Sequence, residues 1–216
     1  MLYIDIHTHK IKCAQNPSLS VLNVFPADIS SVSKSKFVTL GIHPWYISEA
    51  EANLKTLSEY VFLPNVIAVG ETGLDKLRPD FEKQIDVFRA HIRIAQQVHK
   101  PLIIHCVRAY QDVTELLLSE KFELPVIFHW FSGSPQLAKQ LTNKGWFLSF
   151  GQSLFDLESK TVRAFKAVPL EFIFFETDDS DYEISEIYEQ AAFLRNCTAE
   201  NLSDSISKNF QLFFQR

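Results

Sequence analysis

Cysteine is scarce in this chain of 216 residues. There are three, Cys13, Cys106 and Cys197, odd in number and widely spaced. That excludes a disulfide framework and fits a reducing cytoplasm. No uninterrupted apolar run approaches the roughly 20 residues needed to span a bilayer, so no membrane segment is expected. No basic stretch followed by an apolar one opens the sequence, and a secretory signal is not expected either. Basic charge is not in excess: the formal net charge is −5. Broad electrostatic binding of nucleic acid wants a basic face, so that mode is disfavoured. An enzyme that grips a phosphate locally through metal ions stays open. Internal repeats, low-complexity tracts and linkers are also missing, and one domain over residues 1–216 is the simplest organisation. The 46% apolar and 22% charged content is that of an ordinary globular protein, long enough to build a full core.

What is present is a succession of short, mostly apolar runs. They are residues 2–7, 21–25, 37–43, 66–71, 102–106, 126–130, 146–150 and 172–177. Continuous apolar runs without strict alternation suit parallel strands buried on both faces. Helical segments with readable caps lie between several of them. Ser48 and Glu51 form an S-x-x-E capping box. Asp80 can cap a helix carrying Ile85, Phe88, Ile92 and Ala95 on one face. Ser134 precedes Pro135 at a helix start, and Gly145 ends that helix. Thr198 can cap a last helix with Ile206, Phe210 and Phe213 facing the core. Eight strands alternating with helices predict an α/β fold, a compact (β/α)8 TIM-type barrel. The chain is short for that fold. About a dozen residues, interrupted by Pro17, separate the first two strands, so the first helix is expected to be truncated or absent.

In such barrels active sites form at the C-terminal ends of the strands. Here those ends carry His7 and His9, then His43, Glu71, His105, His129 and Asp178. Five of the seven histidines fall there; His91 and His99 fall on the helix after Asp80 and are expected at the surface. His7 and His9, two apart on a strand, point the same way and can share one metal ion. A polar group closing a greasy strand must be solvated, hydrogen-bonded or metal-bound. Four imidazoles (His7, His9, His105, His129) and two carboxylates (Glu71, Asp178) exceed one tetrahedral ion. They suit two, with Glu71 as the natural bridge: His7, His9 and Asp178 complete one site, His105 and His129 the other. Paired ions polarise a phosphoryl oxygen, activate water and stabilise a leaving oxygen, with Asp178 placed to take the proton. The mixed nitrogen and oxygen set suits Zn, Mn or Co better than Mg.

Six motifs resemble those of the TatD-family metal-dependent hydrolases, usually described as deoxyribonucleases. They are Asp5-Ile6-His7-Thr8-His9, Gly41-Ile42-His43-Pro44, Gly70-Glu71-Thr72-Gly73-Leu74-Asp75, Pro101 to Cys106 around His105, His129-Trp130-Phe131-Ser132-Gly133-Ser134, and Glu176-Thr177-Asp178. The resemblance runs nearly end to end. It implies a (β/α)8 barrel, two divalent ions (Mg, Mn or Zn) and 3′-end nuclease activity. By it, His7, His9, Glu71, His105, His129 and Asp178 fall on ligand positions, with Asp178 and Glu71 catalytic and His43 facing the substrate. The implied substrate is a nucleic-acid 3′ end or a small phosphodiester; nothing calls for a protein partner or a membrane. The chain departs from the family after His105, where Val107 delays Arg108 by one position. It departs again after Asp178, where Asp179-Ser180-Asp181 replaces a small residue and proline, and at Lys10. These changes spare the ligands and fall on the substrate rim, where an acidic loop repels a long polyanion.

Around this set, Trp45, Trp130 and Phe131 either stack on a base or sugar or pack in the core. Arg108 and Arg78 either hold phosphate or are solvated, and Lys76 is expected to be solvated. Ser132, Gly133 and Ser134 at a helix start can present amides to an anion as well as cap the helix. Asp5, two residues before His7, is expected to orient a ligand histidine. Two other functions stay open: an amide or ester hydrolase on a small or tRNA-linked substrate, and a metal-binding member without turnover.

Overall fold

The computed structural model describes residues 1–11 and 18–214. All eight expected strands form: β1 (Tyr3–Thr8), β2 (Ser18–Val24), β3 (Val38–Leu40), β4 (Val66–Asp75), β5 (Leu102–Val107), β6 (Val126–Phe128), β7 (Phe147–Phe150) and β8 (Ile173–Phe175). Strand order in the sheet follows chain order, β1 to β8. The helices are α1 (Ala50–Tyr60), α2 (Phe81–Val98), α3 (Tyr110–Ser119), α4 (Pro135–Thr142), α5 (Lys160–Ala167), α6 (Ile184–Arg195) and α7 (Ala199–Phe214). Residues 9–11 after β1 carry no helix; Pro17, on which the expected interruption rested, lies outside the described residues. Between β2 and β3 the crossover is a 3₁₀ run, Pro26–Lys34, rather than an α-helix. No helix among the described residues is long and apolar enough to cross a membrane.

The chain divides into two compact units, residues 22–126 and residues 1–21 with 127–216. In the first, β2, β3, β4 and β5 pair in parallel. The pairing of β4 with β5 slips between Val69 and Thr72. Three steps on β4 there match two on β5, a bulge that re-aims the side chain of Glu71. Glycine is what permits it. Gly70 has φ +148° and Gly73 φ +146°, and a Cβ would lie 2.5 Å from the Ile103 carbonyl oxygen in one case and 2.0 Å from that of His105 in the other. The strand therefore runs on to Asp75, four residues past the expected end at Glu71.

In the second unit β6, β7 and β8 are parallel, and β1 meets β8 through a bridge between Thr8 and Asp178. Its core is aromatic: Phe147, Phe174 and Phe213 contact one another at 5.3 to 5.7 Å between centroids. Tyr188, buried on α6, both donates to the Ile4 carbonyl oxygen and accepts from the Ile4 amide, tying α6 to β1. Burying 150–250 Å² per aromatic ring makes such a cluster a main source of hydrophobic stabilisation.

The expected caps divide. Ser134 accepts from the Leu137 amide with Pro135 behind it, Thr198 accepts from the Asn201 amide, and Gly145 adopts φ +78° after α4. The Ser48–Glu51 box does not form, because α1 starts at Ala50 with Glu49 at its cap. Asp80 stands at the cap of α2 but is left-handed, φ 59°, and its side chain makes no cap hydrogen bond. Phe210 is half-buried, whereas Ile206 and Phe213 are core.

Candidate metal centre

Each unit gathers one cluster of candidate ligands. In the unit containing β1 and β8, Asp178 Oδ1 lies 3.2 Å from His9 Nε2 and 3.8 Å from His7 Nε2. The His7 ring is buried and sits 4.5 Å, centroid to centroid, from that of His129. β1 carries His7, and His9 follows one residue past its end, two residues on, the spacing at which a strand turns side chains to one face. Asp178 reaches both imidazoles by a backbone device. Its φ is +50°, its amide donates to the His7 carbonyl oxygen at 2.9 Å, and its own carbonyl oxygen accepts from the His9 amide. A non-glycine residue held left-handed costs about 1 kcal/mol or more and persists only where its surroundings impose it.

In the unit containing β4 and β5, Glu71 Oε1 lies 2.9 Å from His105 Nδ1 and 3.1 Å from His43 Nε2, and those two nitrogens are 3.2 Å apart. Zinc–nitrogen and zinc–oxygen bonds of about 2.0–2.2 Å put tetrahedral donors roughly 3.3 Å apart. The donor separations, 2.9 to 3.8 Å, bracket that spacing, which makes each cluster a candidate metal site. Sequence reading separated a ligand His105 from a substrate-facing His43, yet both rings lie on the same Glu71 oxygen. The tautomer distinguishes them. His43 Nδ1 accepts from the Trp45 amide at 3.1 Å, so a neutral His43 carries its proton on Nε2 and donates it toward Glu71. In that tautomer His43 donates toward the carboxylate, and His105 stays a candidate ligand.

Supporting groups that sequence reading did not place surround each cluster. Asn23 on β2 accepts from the Glu71 amide at 2.7 Å and from Thr39 Oγ1 at 2.8 Å. Asp75 accepts from Trp45 Nε1 at 2.7 Å, receives the Leu77 amide, and approaches His105 Nε2 at 3.8 Å. The Asp75 position is itself set by Gln84, whose amide bonds both the Asp75 N–H and its carbonyl oxygen. In the other unit buried Glu176 accepts from Ser149 Oγ and from the Trp130 amide, and lies 3.7 Å from His129 Nδ1. The signal for Asp75 and Glu176 was available, since Asp75 closes and Glu176 opens a motif that carries a candidate ligand.

Asp5 acts differently from its expected role. Its carboxylate takes the Thr177 amide at 2.9 Å and the Thr177 hydroxyl at 2.6 Å, and so holds the Glu176–Asp178 turn rather than a histidine ring. Burial raises its pKa to about 7, more than those hydrogen bonds lower it. His91 is not at the surface. It is fully buried, its Nε2 accepts the Ile42 amide, its Nδ1–H donates to the Val87 carbonyl oxygen, and burial lowers its pKa to about 4. His99 is exposed, as expected.

The rim residues separate by burial. Phe131 is core, so it packs rather than stacks. Trp130 is half-buried with φ +47°. Trp45 is exposed, and the Arg78 guanidinium lies 4.0 Å over its ring. Arg108 (φ +53°) and Ser132 are exposed. Lys76 pairs with Asp112 at 2.6 Å. Lys10 reaches into the acidic loop, bonding the Asp179 carbonyl oxygen and Asp181 Oδ1.

A family described as TatD related DNase matches residues 6–215. The chain belongs to this family. An uncharacterised metal-dependent hydrolase of Buchnera aphidicola subsp. Baizongia pistaciae is 30% identical over 84% of this chain and 75% of its own length. Another, YabD of Bacillus subtilis, is 29% identical over 83% of this chain and 77% of its own. The solved structure of YjjV, a TatD homologue from Escherichia coli K12, superposes with a TM-score of 0.88 at 20% identity, covering 99% of this chain and 98% of that one. The fold class is therefore the expected TatD-type (β/α)8 barrel, and the chain is a TatD-family metal-dependent hydrolase.

Proposed function

We propose that this hydrolase cleaves phosphodiester bonds at nucleic-acid 3′ ends or in small phosphodiesters, using two divalent ions (Mg, Mn or Zn). The single observation that carries the reading is the pairing, in each unit, of imidazole nitrogen with carboxylate oxygen at ligand-to-ligand distances. His7, His9 and Asp178 would hold one ion, and Glu71 and His105 the other; His129, expected with His105, is assigned instead to the first ion, because its ring lies 4.5 Å from that of His7. Such ions supply Lewis acidity at a phosphoryl oxygen and lower the pKa of water.

The chain's own residues do the rest. Asp178, fixed by its backbone bonds to His7 and His9 and still partly open to solvent, takes the proton of the attacking water. Glu71, held by Asn23 and His43, keeps its carboxylate aimed at His105. Exposed Arg108 in one unit is assigned to phosphate contact, as is exposed Ser132 in the other, and half-buried Trp130, two residues before Ser132, to the sugar. The loop bearing Asp179 and Asp181 favours a short or terminal substrate over the middle of a long polyanion.

Incubating the protein with 3′-end-labelled single-stranded DNA and with a panel of acyl esters, under Mg and under Mn, tests the reading. Stepwise release of 3′ nucleotides is expected. Turnover confined to esters or amides replaces it with the acyl-hydrolase reading. Silence on both, with metal bound, makes the chain a metal-binding protein without turnover.

A further inference from the structure

Beside His43 lies a pocket of about 240 Å³ that the mechanism above does not use. Phe25 and Tyr46 form its aromatic sides, their ring centroids 5.5 Å apart and their planes inclined at 68°. Ile42 forms its floor, backed by Ile47, Ala50 and Val87 of the core. Ala27 stands at its exposed mouth and Asn53 of α1 on its wall. No lysine, arginine, aspartate or glutamate lines it.

We propose that this pocket is a base subsite, taking the flat heteroaromatic ring of the substrate's terminal nucleotide. The proposal rests on the phosphodiesterase reading and adds what the enzyme recognises beyond the phosphate. Four observations on the pocket lead to it. Its size falls below the roughly 300–1,000 Å³ of pockets that engulf whole ligands, so it holds one ring system and leaves the phosphate outside. Its lack of charge agrees, since a phosphate would need a cation or a metal. Its one amide, on half-buried Asn53, makes no side-chain hydrogen bond among the described residues, and offers both a donor and an acceptor to a base edge. Its wall at His43 lies 3.1 Å from Glu71 Oε1, so a ring in the pocket sits one imidazole's width from a proposed ligand. An alkyl or acyl chain would also fill an apolar pocket, but it would bury the Asn53 amide against nothing polar, which is costly.

Calorimetry on the full chain tests this without relying on turnover. Thymidine 5′-monophosphate is compared with deoxyribose 5-phosphate, which is the same ligand lacking its base. The base is expected to tighten binding about tenfold to hundredfold, the range that base–aromatic stacking supplies. Ala27→Trp, which fills the mouth, should bring that ratio close to one while leaving the affinity for deoxyribose 5-phosphate unchanged. Asn53→Leu, which keeps the shape, should lower the ratio several-fold, and it carries the test should Ala27→Trp not fold. Equal binding of the two ligands by the wild type, binding of neither, a ratio undiminished in Ala27→Trp, or tighter binding of octanoate than of the nucleotide would each overturn the proposal. Failure of the phosphodiesterase reading shows separately, as absence of hydrolysis on oligonucleotides ending in either a base-bearing or an abasic residue.

Discussion

The two candidate ligand clusters are built by different means. The Glu71–His105 cluster depends on glycine: Gly70 and Gly73 let β4 bulge against β5 where any side chain would strike the Ile103 or His105 carbonyl. At the cluster of His7, His9 and Asp178, Gly151 abuts the Glu176 carbonyl oxygen, but without the positive φ of Gly70 and Gly73 and without a bulge. This cluster depends on a buried carboxylate, Asp5, gripping Thr177, and on a left-handed Asp178 bonded to the backbone of β1. One site is shaped by what the backbone lacks, the other by what a distant side chain holds.

The largest test of that comparison removes one ligand from each. Glu71→Gln and Asp178→Asn are each expected to leave about one ion per chain instead of two, by metal analysis of protein purified without chelator. Each should cost about 10²- to 10⁴-fold in kcat, the scale of lost acid–base and metal catalysis. If either variant loses both ions, the clusters do not load independently and the comparison fails at its root. If Asp178→Asn turns over at the wild-type rate, Asp178 is not the proton acceptor.

Next in size is the backbone. Gly73→Ala places a Cβ 2.0 Å from a carbonyl oxygen at φ +146° and should destabilise the fold by about 3–5 kcal/mol, read from the urea midpoint. Gly145→Ala, where a Cβ meets nothing within 4 Å, carries the φ strain alone and should cost about 1 kcal/mol. Similar losses in the two would mean that close approach to His105 does not shape the bulge.

The glycine-built cluster was the more legible in sequence, because glycine beside a ligand announces a backbone constraint. The eight strands were legible for the same kind of reason: runs such as Leu102-Ile103-Ile104 admit few other structures. Asp5 was legible as a buried group near His7, but not its partner, since Thr177 lies 172 residues away and only strand pairing brings the two together. His91 was misread by residue type. It lies on the stripe of Val87, Phe88, Ile92 and Ala95, and helical period alone would have buried it.

Those two misplaced residues give the third test, because they titrate in opposite senses. Between pH 6.5 and about 4 the unfolded chain takes up a proton that buried His91 refuses. Stability from His91 is therefore full above pH 6.5 and falls, by about 3 kcal/mol, as pH drops to 4. Between pH 3.8 and about 7 folded Asp5 keeps a proton that the unfolded chain has released. Its contribution is full below pH 3.8 and falls, by about 4 kcal/mol, as pH rises to 7. Urea unfolding of the metal-free protein should thus vary little between pH 4 and 6.5. Asp5→Asn should expose a stability that rises with pH, and His91→Gln one that falls with it. Parallel profiles in the two variants would refute the opposition.

The smallest effect lies at the surface, where each unit has an exposed lysine paired with an aspartate. Lys76 pairs with Asp112 on α3, and Lys10 with Asp181 in the loop after Asp178. Exposed pairs contribute little to stability, so neither Lys76→Ala nor Lys10→Ala should move the unfolding midpoint resolvably. They should differ in substrate affinity. Lys10 is the cation that reaches the backbone of Asp179 and the side chain of Asp181. Removing it leaves the loop's negative charge uncompensated beside the proposed site, so KM for an oligonucleotide should rise severalfold with kcat unchanged. Raising the salt should shrink the increase, because screening weakens exposed charges beyond a Debye length of about 10 Å at 0.1 M. Asp181→Ser should lower KM by a similar factor. Lys76→Ala subtracts the same unit of charge without touching that loop's own ion pair, and serves as the control. Equal rises in KM for the two lysine variants would mean that net charge alone governs affinity, and that the acidic loop has no local part in choosing a short substrate.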